Sequence, residues 1–470
     1  MYNVKKVMIH PKDTLYPYCE TITSLTNNLH NAIMYLVRQV YTGTRKAESE
    51  LTPNEKEIFN LIKKALPIMG DDYKFPTQKK SFLSYRFIDA YMKATENVDY
   101  YKTGLPRQTA QHAIKGVVKN MKGYYASLRS YKQNPSSFTG KPNLPGYHKK
   151  GGKTTAVITN QDCKIKQDKT GKYVAHLPLT KLECELGSDV VGRLKEVTIK
   201  PFHDVFIISF VFDSAKETKE VTDKPKRICA IDFGVNNIAA ITNNIGAPSL
   251  LFKGGVIKSN NQLYNKRMAE IVSSQTKGTD KKFVPTEESH QVCLRRENQI
   301  SDFMHKLAKR IIEWCVQYQI DTMVLGVNKF WKQNINLGKH NNQNFVQIPF
   351  YRLRQMLTYL GEWNGIRVIE QEESYTSKAS FLDDDFIPVY GDKNKPKFSG
   401  RRISRGLYRI KNKAIVNADL NASANIGRKA FPALFNKDAK VRFDTVEVYY
   451  HPDATFIAKN KARQKARYKM

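Results

Sequence analysis

Helical periodicity dominates the first third of the chain. Between Tyr18 and Tyr41, apolar residues recur at helical spacing, which predicts one amphipathic helix. A second helix is predicted over about 53–66, because Thr52 and Pro53 suit an N-cap and a first turn, and a third over about 107–131. Residues 15–135 are therefore expected to form a helical module.

The period of the pattern changes to two after a loop rich in Pro, Gly and Lys at 136–153. Segments from there to Asp213 alternate apolar and polar residues and predict strands, and residues 1–9 alternate in the same way. We therefore expect residues 1–14 and 136–222 to form one small β domain. The charged segment 216–226 marks its boundary.

The second half of the chain predicts a different succession of elements. Three apolar strands in hairpin succession begin at Arg227, and a long helical region covers 260–318. A strand, a helix, a strand and a final helix follow, at 322–327, 351–365, 366–373 and 414–431. This is the order of an RNase H-like fold, in which carboxylates at strand ends and on a late helix gather around metal ions.

The charge of the chain bears on its partner. The sequence has 77 Lys and Arg against 44 Asp and Glu, a formal net charge of +33, which favours nucleic acid as the partner. No membrane partner is expected, because the longest apolar run, at 205–212, is too short to span a bilayer. The N-terminus also lacks the apolar stretch of a signal peptide.

The six cysteines are scattered along the chain and form no CxxC pair. They therefore indicate neither a zinc site nor a disulfide framework. They fit a reduced intracellular compartment.

Two aspartates occur where a metal site of this fold needs them. Asp232 ends the apolar segment "ICAID" before the turn "FGVNN", and Asp419 lies in "NADLNASANIGRKA", whose small residues would let a helix pack closely on a sheet. Each residue alone also fits a plain capping role. Phosphodiester hydrolysis on this fold uses Mg²⁺, which prefers carboxylate and water oxygens, often as two ions roughly 4 Å apart. At least one more carboxylate is needed.

Several motifs resemble the TnpB family of transposon-encoded RNA-guided nucleases, relatives of the compact type V CRISPR effectors. They are "AIDFGVNNIAAIT", "NLPGYHKK", "GIRVIEQEESYTSKASF" and "NADLNASANI", and the match is strongest over 226–430. The resemblance implies Asp232 and Asp419 as the first and third catalytic acids.

The resemblance also implies a fold class, a multidomain α+β protein. Residues 226–430 would be a RuvC/RNase H-like nuclease domain. The β domain would be a wedge-like barrel into which the helical recognition module is inserted. Residues 431–470 would form a C-terminal extension with a basic tail.

Two departures from the family pattern are visible. The family's middle acid is a Glu at the end of the fourth strand, where this chain reads "TMVLGVNKFW" with Gly326 at or next to the expected position. The family's two CxxC pairs, which bind zinc, are missing from the basic insert at 376–412. No zinc is therefore expected in this insert.

A neighbouring strand offers a replacement for the middle acid. In an RNase H-like sheet the next parallel strand lies beside the fourth strand, about 4.8 Å away, and here it ends in "VIEQEESYTSK". Some TnpB-like branches carry the acid displaced in this way. We expect Glu373 to be the metal ligand and Glu372 to point away, because adjacent strand residues face opposite sides. Glu372 and Glu370 remain alternatives.

The resemblance implies an RNA-guided DNA endonuclease that cuts beside a short protein-read motif by two-metal hydrolysis. The expected partners are a guide RNA and target DNA, bound by a monomer at the nucleoid of a prokaryotic cytoplasm. The expected cofactor is a pair of Mg²⁺ ions, which Mn²⁺ can replace. Alternatives are a nuclease-inactive RNA-guided repressor and a guide-independent RuvC-like nuclease. Residues expected to contact nucleic acid are Lys115, Lys119, Lys122, Tyr147, Lys149, Lys332, Lys378, Arg401, Arg402 and Arg405.

Overall fold

The structure is a computed structural model that describes most of the 470-residue chain. It divides the chain into two compact units, residues 1–216 and 217–470. No helix among the described residues is both long and apolar enough to cross a membrane. The described residues are 2–190, 192–213, 219–278, 280–328, 347–389, 391, 397–404 and 406–453.

Two antiparallel sheets form the β part of the first unit. The larger has the order β1-β7-β6-β2, and β1 pairs with β7 along its whole length although about 200 residues separate them in sequence. Alternation puts every second side chain of β7 into the core, for example Phe206 and Phe210. The strands are β1 Tyr2–Ile9, β2 Ala156–Thr159, β3 Lys164–Gln167, β4 Tyr173–His176, β5 Glu183–Gly187, β6 Arg193–Phe202 and β7 Val205–Asp213, of which β3-β4-β5 make the smaller sheet.

Helices fill the sequence between β1 and β2. Helix α2 begins as predicted after Thr52, whose hydroxyl accepts a hydrogen bond from the Glu55 amide while the Glu55 carboxylate accepts one from the Thr52 amide. The pattern of the sequence missed the short helices α3 and α4. The helices are α1 Tyr16–Gly43, α2 Pro53–Met69, α3 Tyr85–Ala94, α4 Val98–Tyr101 and α5 Arg107–Gln133, with single 3-10 turns at Glu48–Glu50 and Pro135–Ser137.

A six-stranded mixed sheet forms the centre of the second unit. Its order is β12-β11-β8-β9-β10-β16, with β8, β11 and β12 parallel and β9 antiparallel to its neighbours. Without β16 this is the strand order of an RNase H-like sheet, as predicted. The strands are β8 Ile228–Asp232, β9 Asn237–Asn243, β10 Ser249–Lys253, β11 Thr322–Val327, β12 Arg367–Glu372 and β16 Val446–Tyr449.

The helices of this unit are α6 Gly255–Thr276, α7 Glu287–Gln317, α8 Phe350–Trp363 and α9 Ala418–Ala430. The region 260–318, predicted as one long helical region, is thus two helices, and Thr286 caps the second by accepting from the Ser289 amide. A small separate sheet begins in the insert with β13 Arg401–Ser404 and β14 Leu407–Arg409, and its third strand, β15 Ile415–Asn417, follows the insert.

Strand β16 lies beyond the boundary at residue 430 that the sequence predicted for the nuclease domain. It pairs in parallel with β10, with Ser249 opposite Val446. Hydrophobic periodicity hardly indicates this pairing, because the strand has only four residues. The central sheet therefore includes part of the predicted C-terminal extension.

Candidate active site

The end of β8 is the reference point of the site. The first four residues of β8 are buried, and Asp232 is the first partly exposed position. Strand β11 runs parallel to it with Leu325 opposite Ile231, so Gly326 is level with Asp232. Gly326, at or next to the position expected for the middle acid, is therefore beside Asp232 and carries no side chain.

Glu373 directly follows β12, the other neighbour of β11. Val327 is opposite Glu372 in the parallel pairing, and the Glu373 amide donates to the Val327 carbonyl at 3.3 Å. This hydrogen bond extends the ladder by one residue. It turns the Glu373 side chain toward β11 and the end of β8.

The carboxylate of Glu373 fills the space that Gly326 leaves. A Cβ built on Gly326 would be 2.9 Å from Glu373 Oε2, 2.5 Å from Ile426 Cδ1 and 3.2 Å from the Ile231 carbonyl oxygen. Oε2 is buried and has no hydrogen-bond partner among the described residues. A buried carboxylate oxygen without a donor is costly unless a cation or a proton satisfies it.

The two alternative glutamates are engaged elsewhere. Lys429 donates to Glu372 Oε2 at 2.6 Å, and the Ser374 amide donates to Glu372 Oε1 at 2.7 Å. Glu370 is exposed and pairs with Arg354 at 3.2 Å. The carboxylates of Glu372 and Glu373 thus lie in different surroundings, and that of Glu373 is the one adjoining β11.

Asp419 reaches the site from the first turn of α9. The side chain of Asn417 caps this helix by accepting from the amides of Asp419 and Leu420. Ser423, one turn further, donates to the Ala230 carbonyl at 2.8 Å and so holds the helix against β8. The small residues predicted to permit close packing, Ala418, Ala422, Ser423 and Ala424, are all buried.

Two further side chains hold the Asp419 carboxylate. Asn237 Nδ2 donates to Oδ2 at 2.6 Å, and Arg402 Nη2 approaches Oδ1 at 3.4 Å. Sequence reasoning missed Asn237 as a site residue, although "DFGVNN" places it at the start of the strand that pairs with β8. Its separation from Asp419 by 182 positions hid the contact.

The electrostatics of the site are those of crowded acids. Burial raises the pKa of Asp232 well above its usual range, the charges of Glu373 and Asp419 raise it further, and Arg402 opposes them. Burial, with the charge of Glu372, raises the pKa of Glu373 to about 7, against Arg354 and Lys429. Such acids resist ionisation until positive charge arrives.

The donor set fits a hard divalent cation. It consists of carboxylate oxygens, and the unsatisfied Oε2 of Glu373 lies beside Gly326, which is level with Asp232. As the side chains lie, no three His, Cys, Asp or Glu residues of the described chain are arranged to hold one ion. Because Asp419 is paired with Arg402, binding of an ion would have to displace this pairing.

Two family models match the chain in sequence. The model OrfB_IS605, probable transposase, matches residues 211–331, and the model of the Cas12f1-like TNB domain matches residues 350–426. Both matches lie between residues 211 and 426, and this part of the chain is thus similar in sequence to the TnpB-like family. No curated protein matches it in sequence.

Solved structures similar to this chain include a Cas12f1–sgRNA–target DNA complex, at 13% identity over 84% of this chain and 82% of that one, with a TM-score of 0.44. Another is the mini-RNA-guided endonuclease CRISPR-Cas_phi3, at 10% identity over 92% of both chains, with a TM-score of 0.41. At these low scores the fold assignment rests on the strand order of the central sheet.

The insert is held by hydrogen bonds to a carboxylate. Asp383 Oδ2 accepts from Ser380 Oγ at 2.6 Å, from Ser399 Oγ at 3.1 Å and from the Lys411 amide at 2.9 Å. Burial alone would raise the pKa of Asp383, but these hydrogen bonds lower it overall. Asp383 thus ties together three segments of the insert.

Buried asparagines join the insert to α9. Asn421 and Asn425 both donate to the Ala379 carbonyl at 2.8 Å, and Asn425 also donates to Thr376. These hydrogen bonds explain why asparagines occupy the interior of this helix. They fix the chain just after Glu373 relative to Asp419.

The structure describes eight of the ten residues predicted to contact nucleic acid, and all eight are exposed. Lys332 and Arg405 lie outside the described residues. Lys115, Lys119 and Lys122 are on α5, Tyr147 and Lys149 are in the loop after it, and Lys378, Arg401 and Arg402 are in the insert. Arg402 is brought to the acidic site, at Asp419.

Proposed function

We propose that this protein is an RNA-guided DNA endonuclease whose catalytic acids are Asp232, Glu373 and Asp419. The observation that carries the proposal is the seating of the Glu373 carboxylate in the space beside Gly326, level with Asp232. It supplies a third acid although β11 has none. The sequence similarity to the TnpB-like family and the charge of +33 support a nucleic-acid substrate.

In this proposal the three carboxylates would hold two Mg²⁺ ions, for which Mn²⁺ would substitute. The ions would activate the attacking water and stabilise the leaving oxygen of the phosphodiester. Asn237 would orient Asp419 by its hydrogen bond to Oδ2. Lys429 would keep Glu372 away from the metals by pairing with it.

Arg402 would exchange partners during the reaction. In this structure it pairs with Asp419, and its side chain is 46% exposed, so it is free to move toward solvent. Its guanidinium matches a phosphate oxygen pair in geometry. When metal binds Asp419, Arg402 would turn to the target-strand phosphate.

The partners would be a guide RNA and a target DNA in a prokaryotic cytoplasm, bound by a monomer. The helical module 15–135 and the β domain would hold the guide and its duplex with DNA through shape and phosphates. Protein would read a short motif beside the target, and base pairing would supply the remaining specificity. The insert would be held without zinc.

The test is cleavage by the protein purified with its native RNA, supplied with Mg²⁺ and DNA libraries that match that RNA. Asp232→Ala and Glu373→Gln should abolish cutting while target binding survives, and Glu372→Gln and Glu370→Gln should still cut. If Glu372→Gln or Glu370→Gln is the inactive variant, the third acid is misassigned. Absence of any cutting would support the nuclease-inactive repressor.

The same purification separates the guided proposal from a guide-independent nuclease. Sequencing the bound RNA should recover one defined transcript, because guided cutting requires it. A random population of cellular RNA, together with cutting that ignores sequence, would overturn the guided proposal.

A further inference from the structure

The helical module contains an open basic cleft that the catalytic site does not involve. One wall is a stripe of α5, where Lys122, Tyr125, Ala126 and Arg129 follow each other at helical spacing. The other walls are Arg45 and the segment before α3. The cleft has a volume of about 510 Å³ and is completed by Gln78, Lys79, Ser81 and Phe82.

The charge of the cleft has one sign. Arg45, Lys79, Lys122 and Arg129 line it, and no Asp or Glu is among its described lining residues. Four cations around one cleft repel each other unless an anion joins them. Phosphate is the anion that such Lys and Arg groups bind in nucleic acids.

Two aromatic side chains, Phe82 and Tyr125, lie among these cations. Phe82 is 36% exposed and meets the Tyr125 ring edge to face, with 5.8 Å between the ring centroids. Tyr125 is itself held, because its hydroxyl hydrogen-bonds the buried Ser81 hydroxyl at 3.2 Å, to which Arg45 donates at 3.2 Å. The aromatic pair is therefore held in place by the protein itself, without a ligand.

We propose that this cleft binds one unpaired nucleotide, with the base stacked on Phe82 and the flanking phosphates among the four cations. Stacking requires a free base face, which a nucleotide inside a duplex does not offer. The inference rests on the proposed function for its partner, since an RNA-guided nuclease carries unpaired guide RNA and exposes single-stranded DNA.

Direct binding of oligonucleotides to the full chain tests this inference, in an Asp232→Ala background to prevent cutting. Fluorescence anisotropy would compare single-stranded RNA, single-stranded DNA and duplex DNA of one sequence, and the first two arms identify the source of the nucleotide. Phe82→Ala should weaken single-strand binding roughly tenfold, and Phe82→Trp should restore it. Lys122→Ala should lower the salt slope of binding by about one.

Two controls separate the cleft from the rest of the basic surface. Lys64→Ala removes an equal charge from an exposed position of α2 that does not line the cleft, and it should leave the Phe82 effect unchanged. Ala126→Trp fills the cleft from an exposed helix position, and it should weaken binding as Phe82→Ala does. Ultraviolet crosslinking of the wild-type chain should map to Phe82 or Tyr125.

The inference is overturned if Phe82→Ala and Ala126→Trp bind single strands like the parent chain, or if the variants weaken duplex binding equally. Cleavage by the otherwise wild-type chain is measured in parallel. If the wild-type chain cuts DNA and the cleft variants bind single strands like the parent chain, the cleft proposal alone is refuted. If the cleft variants weaken single-strand binding but the wild-type chain cuts no DNA, the nuclease proposal alone is refuted.

Discussion

Glu373 Oε2 is 2.9 Å from the point where a Cβ would stand on Gly326. The two positions lie on neighbouring parallel strands, so a side chain on β11 and the carboxylate that follows β12 compete for one space. The glycine on β11 is thus the condition under which Glu373 can face Asp232. The absence of an acid at Gly326 and the presence of one at Glu373 therefore depend on each other.

Gly326→Ala should slow target cleavage about 100-fold while target binding stays close to normal. The added methyl group would meet Glu373 Oε2 and Ile426 Cδ1, and a displacement of a catalytic group by about 1 Å can cost this much. Single-turnover cleavage and filter binding measure the two effects. Weaker binding of the target without slower cutting would contradict this account.

The double variant Gly326→Ala/Ile426→Val removes the second clash, because valine lacks the Cδ1 atom. We expect Ile426→Val alone to cut normally and the double variant to stay slow. Recovery of the double variant would mean that crowding against α9, rather than displacement of Glu373, caused the defect.

Metal affinity should depend on pH through Glu373. Its pKa of about 7 in the metal-free protein means that below pH 7 an ion must displace a proton, whereas above pH 7 the carboxylate is already charged. The Mg²⁺ concentration for half-maximal cleavage should therefore rise by up to about tenfold per pH unit below 7 and level off above it. Cleavage titrations from pH 6 to 8.5 measure this.

Glu372→Gln provides the matched control for this titration. The charge of Glu372 helps to raise the pKa of Glu373. Removing this charge should therefore lower the pH above which the Mg²⁺ requirement becomes constant. If this pH is the same in Glu372→Gln and in the wild-type chain, the proton that competes with Mg²⁺ belongs to another group.

The structure of the insert should depend on the Asp383 carboxylate and not on zinc. Asp383→Ala removes an acceptor of three hydrogen bonds, each worth about 1.5–3 kcal/mol when the acceptor is charged. We expect faster hydrogen exchange over 397–411 and slower cleavage. Asp438→Ala, an exposed acid of the same unit, should change neither.

Chelator treatment tests the other half of this prediction. Incubation with a zinc chelator, followed by dialysis into Mg²⁺, should leave both hydrogen exchange and cleavage unchanged. A loss of activity that added zinc restores would show that the insert binds zinc after all.

The first unit should lose stability in mild acid through His30. Burial, with the charge of His148, whose ring stacks on it at 3.7 Å, lowers the pKa of His30 to about 4 from the usual 6.5. Between these values the unfolded chain binds more protons than the folded one, so stability falls as pH falls from 6.5 to 4. The shift corresponds to at most about 3.4 kcal/mol.

His30→Phe keeps a ring in the stack and removes the titration. Urea unfolding from pH 4 to 7.5, followed by hydrogen exchange in α1, should show a flatter dependence in this variant. Equal slopes for both proteins would exclude His30 as the source.

Local patterns predicted the parts of the site that lie on long, buried elements. Strand β11 has the predicted bounds, and Asp232 ends β8 as expected, because an apolar strand before a turn is a strong signal. Asn237 and Asp383 escaped prediction. Their partners are remote in sequence or lie in a loop, and no periodicity marks either.

The sequence by itself determined the succession of the long elements, the basic character of the chain and the supply of carboxylates, because these depend on spacing and composition. It also located the three acids Glu370, Glu372 and Glu373 at the end of one strand. Tertiary structure alone decided how these acids are used. Strand register put Gly326 level with Asp232, Lys429 and Arg354 drew away two of the glutamates, and the empty space on β11 received the third.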